Sequence, residues 1–191
     1  MTQTIPFNLR PFAISGPASN LTVSGQVTRE KSVIAFSYLL AGDLDRVVIP
    51  PARETVRRAD RLWEQTCFEF FLASGNVQTR TSPYWEFNLS PTGDWNVFSL
   101  AGYRHRSTET AAFQSLPFTV KALSDGLHLA VSVDVGALVE AGRSLQLGVS
   151  MVVIVRGEEG APEETFWAIA HPAAQADFHH PDSFAIKLAP E

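Results

Sequence analysis

The stretch Arg61-Leu-Trp-Glu-Gln-Thr-Cys-Phe-Glu-Phe-Phe-Leu-Ala73 decides the reading of this chain. From Thr66 to Ala73 it is almost continuously apolar, yet Glu69 stands in its middle. At a period of two, Phe68, Phe70 and Leu72 share one face of a strand, and Cys67, Glu69 and Phe71 share the other. A helix would scatter these residues around its circumference. As a strand, the segment has one wholly apolar face and one face with a carboxyl group. That carboxyl group could serve catalysis or a cation, hold a ligand, or simply face water.

The same period recurs along the chain. Val33–Gly42 places Ile34, Phe36, Tyr38 and Leu40 on one side. Tyr84–Ser90 sets Trp85, Phe87 and Leu89 against Tyr84, Glu86, Asn88 and Ser90. His128–Val135 sets Leu129, Val131, Val133 and Val135 inward. Leu145–Val155 reads as a long buried strand, and Ser183–Pro190 as a final one. Turn signals divide the runs: Ala41-Gly42-Asp43, Ser74-Gly75-Asn76, Pro91-Thr92-Gly93-Asp94, Ser124-Asp125-Gly126 and Gly157 to Pro162. Short strands at such spacing predict an all-β, antiparallel β-sandwich of jelly-roll-like character with few short helices. The helix candidates are Pro50–Glu64 and a short turn over Asp134–Gly142, capped by Asp134. No repeat, linker or low-complexity tract divides the 191 residues, so a single domain over residues 1–191 is expected.

Composition narrows the function. Hydrophobic residues make up 45% and charged residues 18%, enough apolar material for a core and too little charge for disorder. The net charge of −5 opposes the basic face of a nucleic-acid binder. No apolar run approaches the length of a membrane span, and the N-terminus has no basic start followed by an apolar core. The expectation is a cytoplasmic protein without nucleic-acid or membrane partners. Cys67 is the only cysteine, which excludes an internal disulfide and a cysteine metal cluster. Mid-strand, it reads as a small hydrophobe.

Two constellations remain. If the strands at 66–72 and 84–90 are antiparallel neighbours, Glu69 shares a face with Glu86 and Asn88. Two carboxylates and an amide there suit sugar hydroxyls, a cation, acid–base chemistry, or a solvated face. Trp63, Tyr84, Trp95 and Trp167 flank this set and favour a ligand role, although tryptophan is also a common core residue. The segment Ala170–Phe184 holds His171, Asp177, His179, His180 and Asp182, enough for zinc by composition but without a zinc-motif spacing. Side-chain hydrogen bonds are expected to fix this proline-rich loop, with Asp177 and His179 tying it to the sandwich, Phe178 packed inward and Pro181 ending the turn. No cofactor and no metal are expected. There is no GxSxG and no phosphate-binding glycine loop.

The blocks LWEQTCFEFFLA, YWEFNLSPTGDWNVFSLAGYR, GLHLAVSVDVGAL, LQLGVSMVVIV and FWAIAHPAAQADFHHPDSFAIKL, in that order, resemble the DOMON-like superfamily. Within it they are most similar to the branch of family 9 carbohydrate-binding modules. The likeness runs from about Trp63 to Leu188. It implies a non-catalytic β-sandwich that binds a small glycan or sugar-like ligand in an aromatic-lined groove. It further implies that Trp63 and Trp167 face each other across that groove. Glu69 would lie at its floor, with Glu86, Asn88 and Arg104 as further contacts. Two alternatives accompany it: a haem-binding electron-transfer domain using Met151 and His128, and a glycoside hydrolase using Glu69 and Glu86.

Overall fold

The computed structural model describes residues 2–13, 16–75, 79–105, 107–157 and 160–190. Its strands are β1 (Gln3–Pro11), β2 (Leu21–Glu30), β3 (Val33–Gly42), β4 (Cys67–Ser74), β5 (Tyr84–Leu89) and β6 (Trp95–Leu100), followed by β7 (Thr108–Glu109), β8 (Phe118–Leu123), β9 (Gly126–Asp134), β10 (Leu145–Arg156), β11 (Pro162–Ala168) and β12 (Ile186–Leu188). Every strand pair is antiparallel. Only 3-10 turns accompany them among the described residues. Of the predicted turns, Asn76 and residues 158–159 lie outside the described residues.

The strands form a β-sandwich. One layer runs β8-β9-β3-β2-β1 and the other β1-β11-β10-β4-β5-β6-β7, with β12 beside the start of β10. β1 belongs to both layers. It pairs with β2 from Gln3 to Leu9, then with β11 through Arg10 and Pro11, so the sheet curls over on itself.

Alternation explains the filling. Ile34, Phe36, Tyr38 and Leu40 of β3 meet Phe68, Phe70 and Leu72 of β4 and Phe87 and Leu89 of β5 in one buried cluster. Phe36 stacks on Phe70 at 4.3 Å, and Phe70 on Phe87 at 4.2 Å. Tyr38 is polar within this core, and its hydroxyl donates across the sandwich to the Glu69 carbonyl at 2.8 Å. In β2, Gly25 leaves room for the Phe7 ring. A Cβ there would stand 2.0 Å from the Ser37 carbonyl oxygen and 2.6 Å from Phe7 Cζ.

The second layer is buried on both faces along β4, unlike the one-sided β9. Its outer face is covered by the C-terminal loop. Phe71, Ala73, Tyr84, Phe98, Leu100 and Phe184 form a separate buried cluster there, with Phe178 against it.

The predicted helix over Pro50–Glu64 is absent. Only Leu62–Glu64 makes a single 3-10 turn, and the rest is an extended strap across the β5–β6 turn. Its apolar residues are too few for a helical stripe, and Val56 remains exposed. Specific bonds hold it instead. Asp94 accepts the Arg57 amide at 3.0 Å and pairs with Arg53 at 2.7 Å. Arg58 lies 4.4 Å over the Trp95 ring and donates to Asn96 at 3.0 Å. Asp134 accepts the Gly136 amide at 2.9 Å and opens the predicted short turn.

Candidate functional site

On the outer face of the second layer, period-two alternation and register fix the neighbours. Glu69 pairs with Ser150 of β10 on one side and Asn88 of β5 on the other. Phe71 lies beside Gly148 and Glu86, and Glu86 faces Phe98 of β6. Val152 lies between Cys67 and Phe166 of β11. Above this grid the C-terminal loop places Phe178 and His179, and the chain before β4 contributes Trp63. Together they enclose a cavity of about 540 Å³. Small-molecule sites run from roughly 300 to 1,000 Å³.

Its floor carries two buried carboxyl groups. Glu69 is 2% exposed and Glu86 8% exposed. Ser150 Oγ donates to Glu69 Oε2 at 3.2 Å, while Oε1 is buried without a partner. Asn88 Nδ2 donates to Glu86 Oε1 at 2.9 Å. Burial, and then the neighbouring Glu86 charge, push Glu69 well above the ordinary carboxylate range; the Ser150 bond opposes this only in part. Burial also raises Glu86, against the Asn88 bond and the Arg104 charge. Both carboxyl groups are therefore held above their ordinary range. On the same strand face, burial also raises the Cys67 thiol, which stays un-ionised and unreactive.

The C-terminal loop is held as its composition requires. Tyr103 donates to Asp177 Oδ2 at 2.6 Å and Arg104 to Oδ1 at 3.0 Å. Burial opposes ionisation of Asp177, but these bonds outweigh it and lower its pKa. The His179 amide bonds Asp177 Oδ1 at 3.2 Å, and its Nδ1 lies 2.7 Å from Tyr84 Oη. Burial, then the Arg104 charge, lower His179 to about 4, so its ring is neutral near pH 7. Burial raises Tyr84 to about 12. Pro181 follows the turn that the His180 amide closes on the Asp177 carbonyl at 3.4 Å, and it opens a 3-10 turn of its own, its fixed φ and missing N–H suiting the first helical position. His171 Nε2 instead meets the Arg10 carbonyl at 2.8 Å, away from His180 beside Asp182. Among the described residues no group of three such side chains could hold a metal ion.

The expected residues divide. Trp63, Glu69, Glu86 and Arg104 line this cavity. Asn88 does not. It is fully buried behind Glu86 and orients that carboxyl. Trp167 does not face Trp63 either; it is 3% exposed, in the main core opposite Met151, with its indole N–H on Thr165 at 3.0 Å. The adjacent residue on the strand, Phe166, points to the cavity, since successive side chains take opposite faces. The sequence reading missed Phe98, Phe166, Phe178 and His179 as cavity walls. Met151 is buried in the core and His128 pairs with Asp125 at 2.8 Å on β9, so the two residues of the haem alternative do not meet.

No family model and no curated protein matches the chain. Solved structures do. A candidate carbohydrate-binding protein from Bacteroides uniformis aligns with a TM-score of 0.59 at 14% identity, over 94% of this chain and 83% of that one. A family 9 carbohydrate-binding module from Caldicellulosiruptor kristjanssonii, in complex with glucose, aligns with a TM-score of 0.52 at 11% identity, over 94% and 79%. The fold is shared with carbohydrate-binding proteins. At these identities the likeness is one of backbone, and the cavity must be argued from its own residues.

Proposed function

We propose that the protein is a non-catalytic binding module that takes a small sugar or sugar-like ligand in the cavity over β4, β5, β6, β10 and β11. Its membership of the family 9 branch of the DOMON-like superfamily is part of this reading. One observation carries it: an unpartnered, buried carboxyl oxygen of Glu69 at the floor of an aromatic-walled cavity. A buried polar atom without a partner costs about 1–3 kcal/mol, and a ligand hydroxyl removes that cost. Trp63, Phe98, Phe166 and Phe178 supply flat apolar surface for the C–H face of a pyranose. Trp63, 38% exposed and edge-on to Phe98 at 5.8 Å, stands at the entrance.

Calorimetric titration with glucose and a panel of mono- and disaccharides tests the proposal. At least one sugar is expected to bind, with affinity lost in Trp63→Ala. A folded protein that binds none of them at millimolar concentration overturns it.

A further inference from the structure

We propose that the ligand of this cavity carries a protonated amine, as a sugar with a free amino group does, and that the ammonium seats between Glu69 and Glu86. This deepens the sugar-binding reading and rests on it. Glu69 and Glu86 occupy diagonal positions on paired strands, because Glu69 is opposite Asn88 and Glu86 is opposite Phe71. Diagonal neighbours lie roughly 7–8 Å apart, within reach of long side chains. An ammonium donating to each at about 2.8 Å bridges such a pair.

The protein itself supplies these acids with neutral donors, Ser150 and Asn88. Glu69 lines the cavity and is 2% exposed, and its Oε1 is buried without a partner. The nearest cation, Arg104, is half exposed at the rim and bonded to Asp177 at 3.0 Å. His179 Nε2 lies 3.9 Å from Glu86 Oε2, but its ring is neutral near pH 7. Tyr38, which bonds the Glu69 carbonyl from the core side, and Cys67, on the same strand face as Glu69, stay un-ionised, raised by burial. Tyr84 does the same beside His179. Farther out, Glu64 pairs with Arg61, and Glu164 adds a further carboxylate on the β11 wall. The cavity is thus acidic, with an unfinished hydrogen-bond set at its floor. Its rings add to this, because aromatic faces attract cations within about 6 Å of the ring centre.

The proton balance follows. A bound ammonium favours the ionised pair, so any proton that the raised pKa values leave on Glu69 or Glu86 goes to solvent while the amine keeps its own. Affinity therefore rises with pH from the acid range towards neutrality and falls again once the ligand amine deprotonates. A neutral sugar gains nothing from that ionisation and shows no such rise.

The test is titration of the full chain with glucosamine, glucose, N-acetylglucosamine and propylamine between pH 5 and 7. At pH 7 glucosamine is expected to bind at least tenfold more tightly than glucose or N-acetylglucosamine, with the preference shrinking as pH falls. Glu86→Gln, which keeps an acceptor for Asn88, should reduce that preference at least tenfold; thermal unfolding of the variant confirms its folding. Equal affinity for glucosamine and glucose overturns the ammonium site and leaves the sugar-binding reading standing. Propylamine binding without any sugar binding overturns the sugar reading and keeps the ammonium site. Binding of none of the four overturns both.

Discussion

Glu69→Gln should stabilise the free protein at neutral pH, and by an amount that grows with pH. The carboxyl is buried, and burial raises its pKa in the fold well above the ordinary carboxylate range. In the unfolded chain it ionises near pH 4.3. Between those two pKa values the folded state holds a proton that the unfolded state has released. Stability therefore falls as pH rises through this window, and it is greatest below the unfolded pKa. Each pH unit inside the window costs about 1.4 kcal/mol for one such group. Glutamine keeps an oxygen for the Ser150 hydroxyl and presents an amide towards the cavity where Oε1 lies unpartnered, so little packing is lost. Urea unfolding of wild type and variant at half-unit steps from pH 4 to pH 8 measures the difference. Contributions from the other titrating groups largely cancel between the two proteins. The expected difference is near zero or slightly unfavourable at pH 4 and turns in favour of the variant above pH 5. Parallel stability curves across this range would refute the argument, because they require Glu69 to ionise alike in both states.

His179 acts in the opposite sense. Its pKa falls from 6.5 to about 4 on folding, so the unfolded chain takes up the proton first and stability drops as pH falls through that window, by about 3 kcal/mol in all. An NMR titration placing the ring near 6.5 would remove that drop. The two indoles of the expected groove should behave differently. Trp167→Ala should cost roughly 3–5 kcal/mol as a core truncation and lower the melting temperature, whereas Trp63→Ala, at an exposed ring, should leave it within a few degrees. A thermal scan that ranks them the other way reverses the assignment of core and cavity.

Much of the fold was legible because burial wrote period two into the sequence. Ile34 to Leu40, Phe68 to Leu72 and Leu129 to Val133 each point inward as alternation requires. The pairing of β4 with β5, posed from the sequence only as a condition, is found in the fold. The strap at 50–61 misled for a physical reason. Its residues have good helical propensity, but propensity is a weak prior, and Asp94, Trp95 and Asn96 satisfy this backbone and its arginines in extended form. Nothing local to that segment announces those partners.

The site was legible only in part, and the fault lies in parity. Glu69 and Glu86 were found because each interrupts an apolar strand. On β11 the sequence Thr165-Phe166-Trp167 offers two aromatic residues in succession, so composition cannot say which one turns inward. The register does: Met151 faces Trp167 and Val152 faces Phe166. A shift of one residue exchanges the faces of a whole strand. The larger ring went to the core, where Trp167 closes the layer near the turn of β1 from one sheet to the other, and the smaller ring went to the ligand face. Charge state was not legible for a related reason. The sequence shows neither the loop that covers Glu69 nor that Arg104 is bonded to Asp177. Once both are known, a carboxyl group with a raised pKa is the consistent reading. On the amine-ligand proposal, the ligand completes the cavity by bringing the positive charge that Ser150 and Asn88 do not supply.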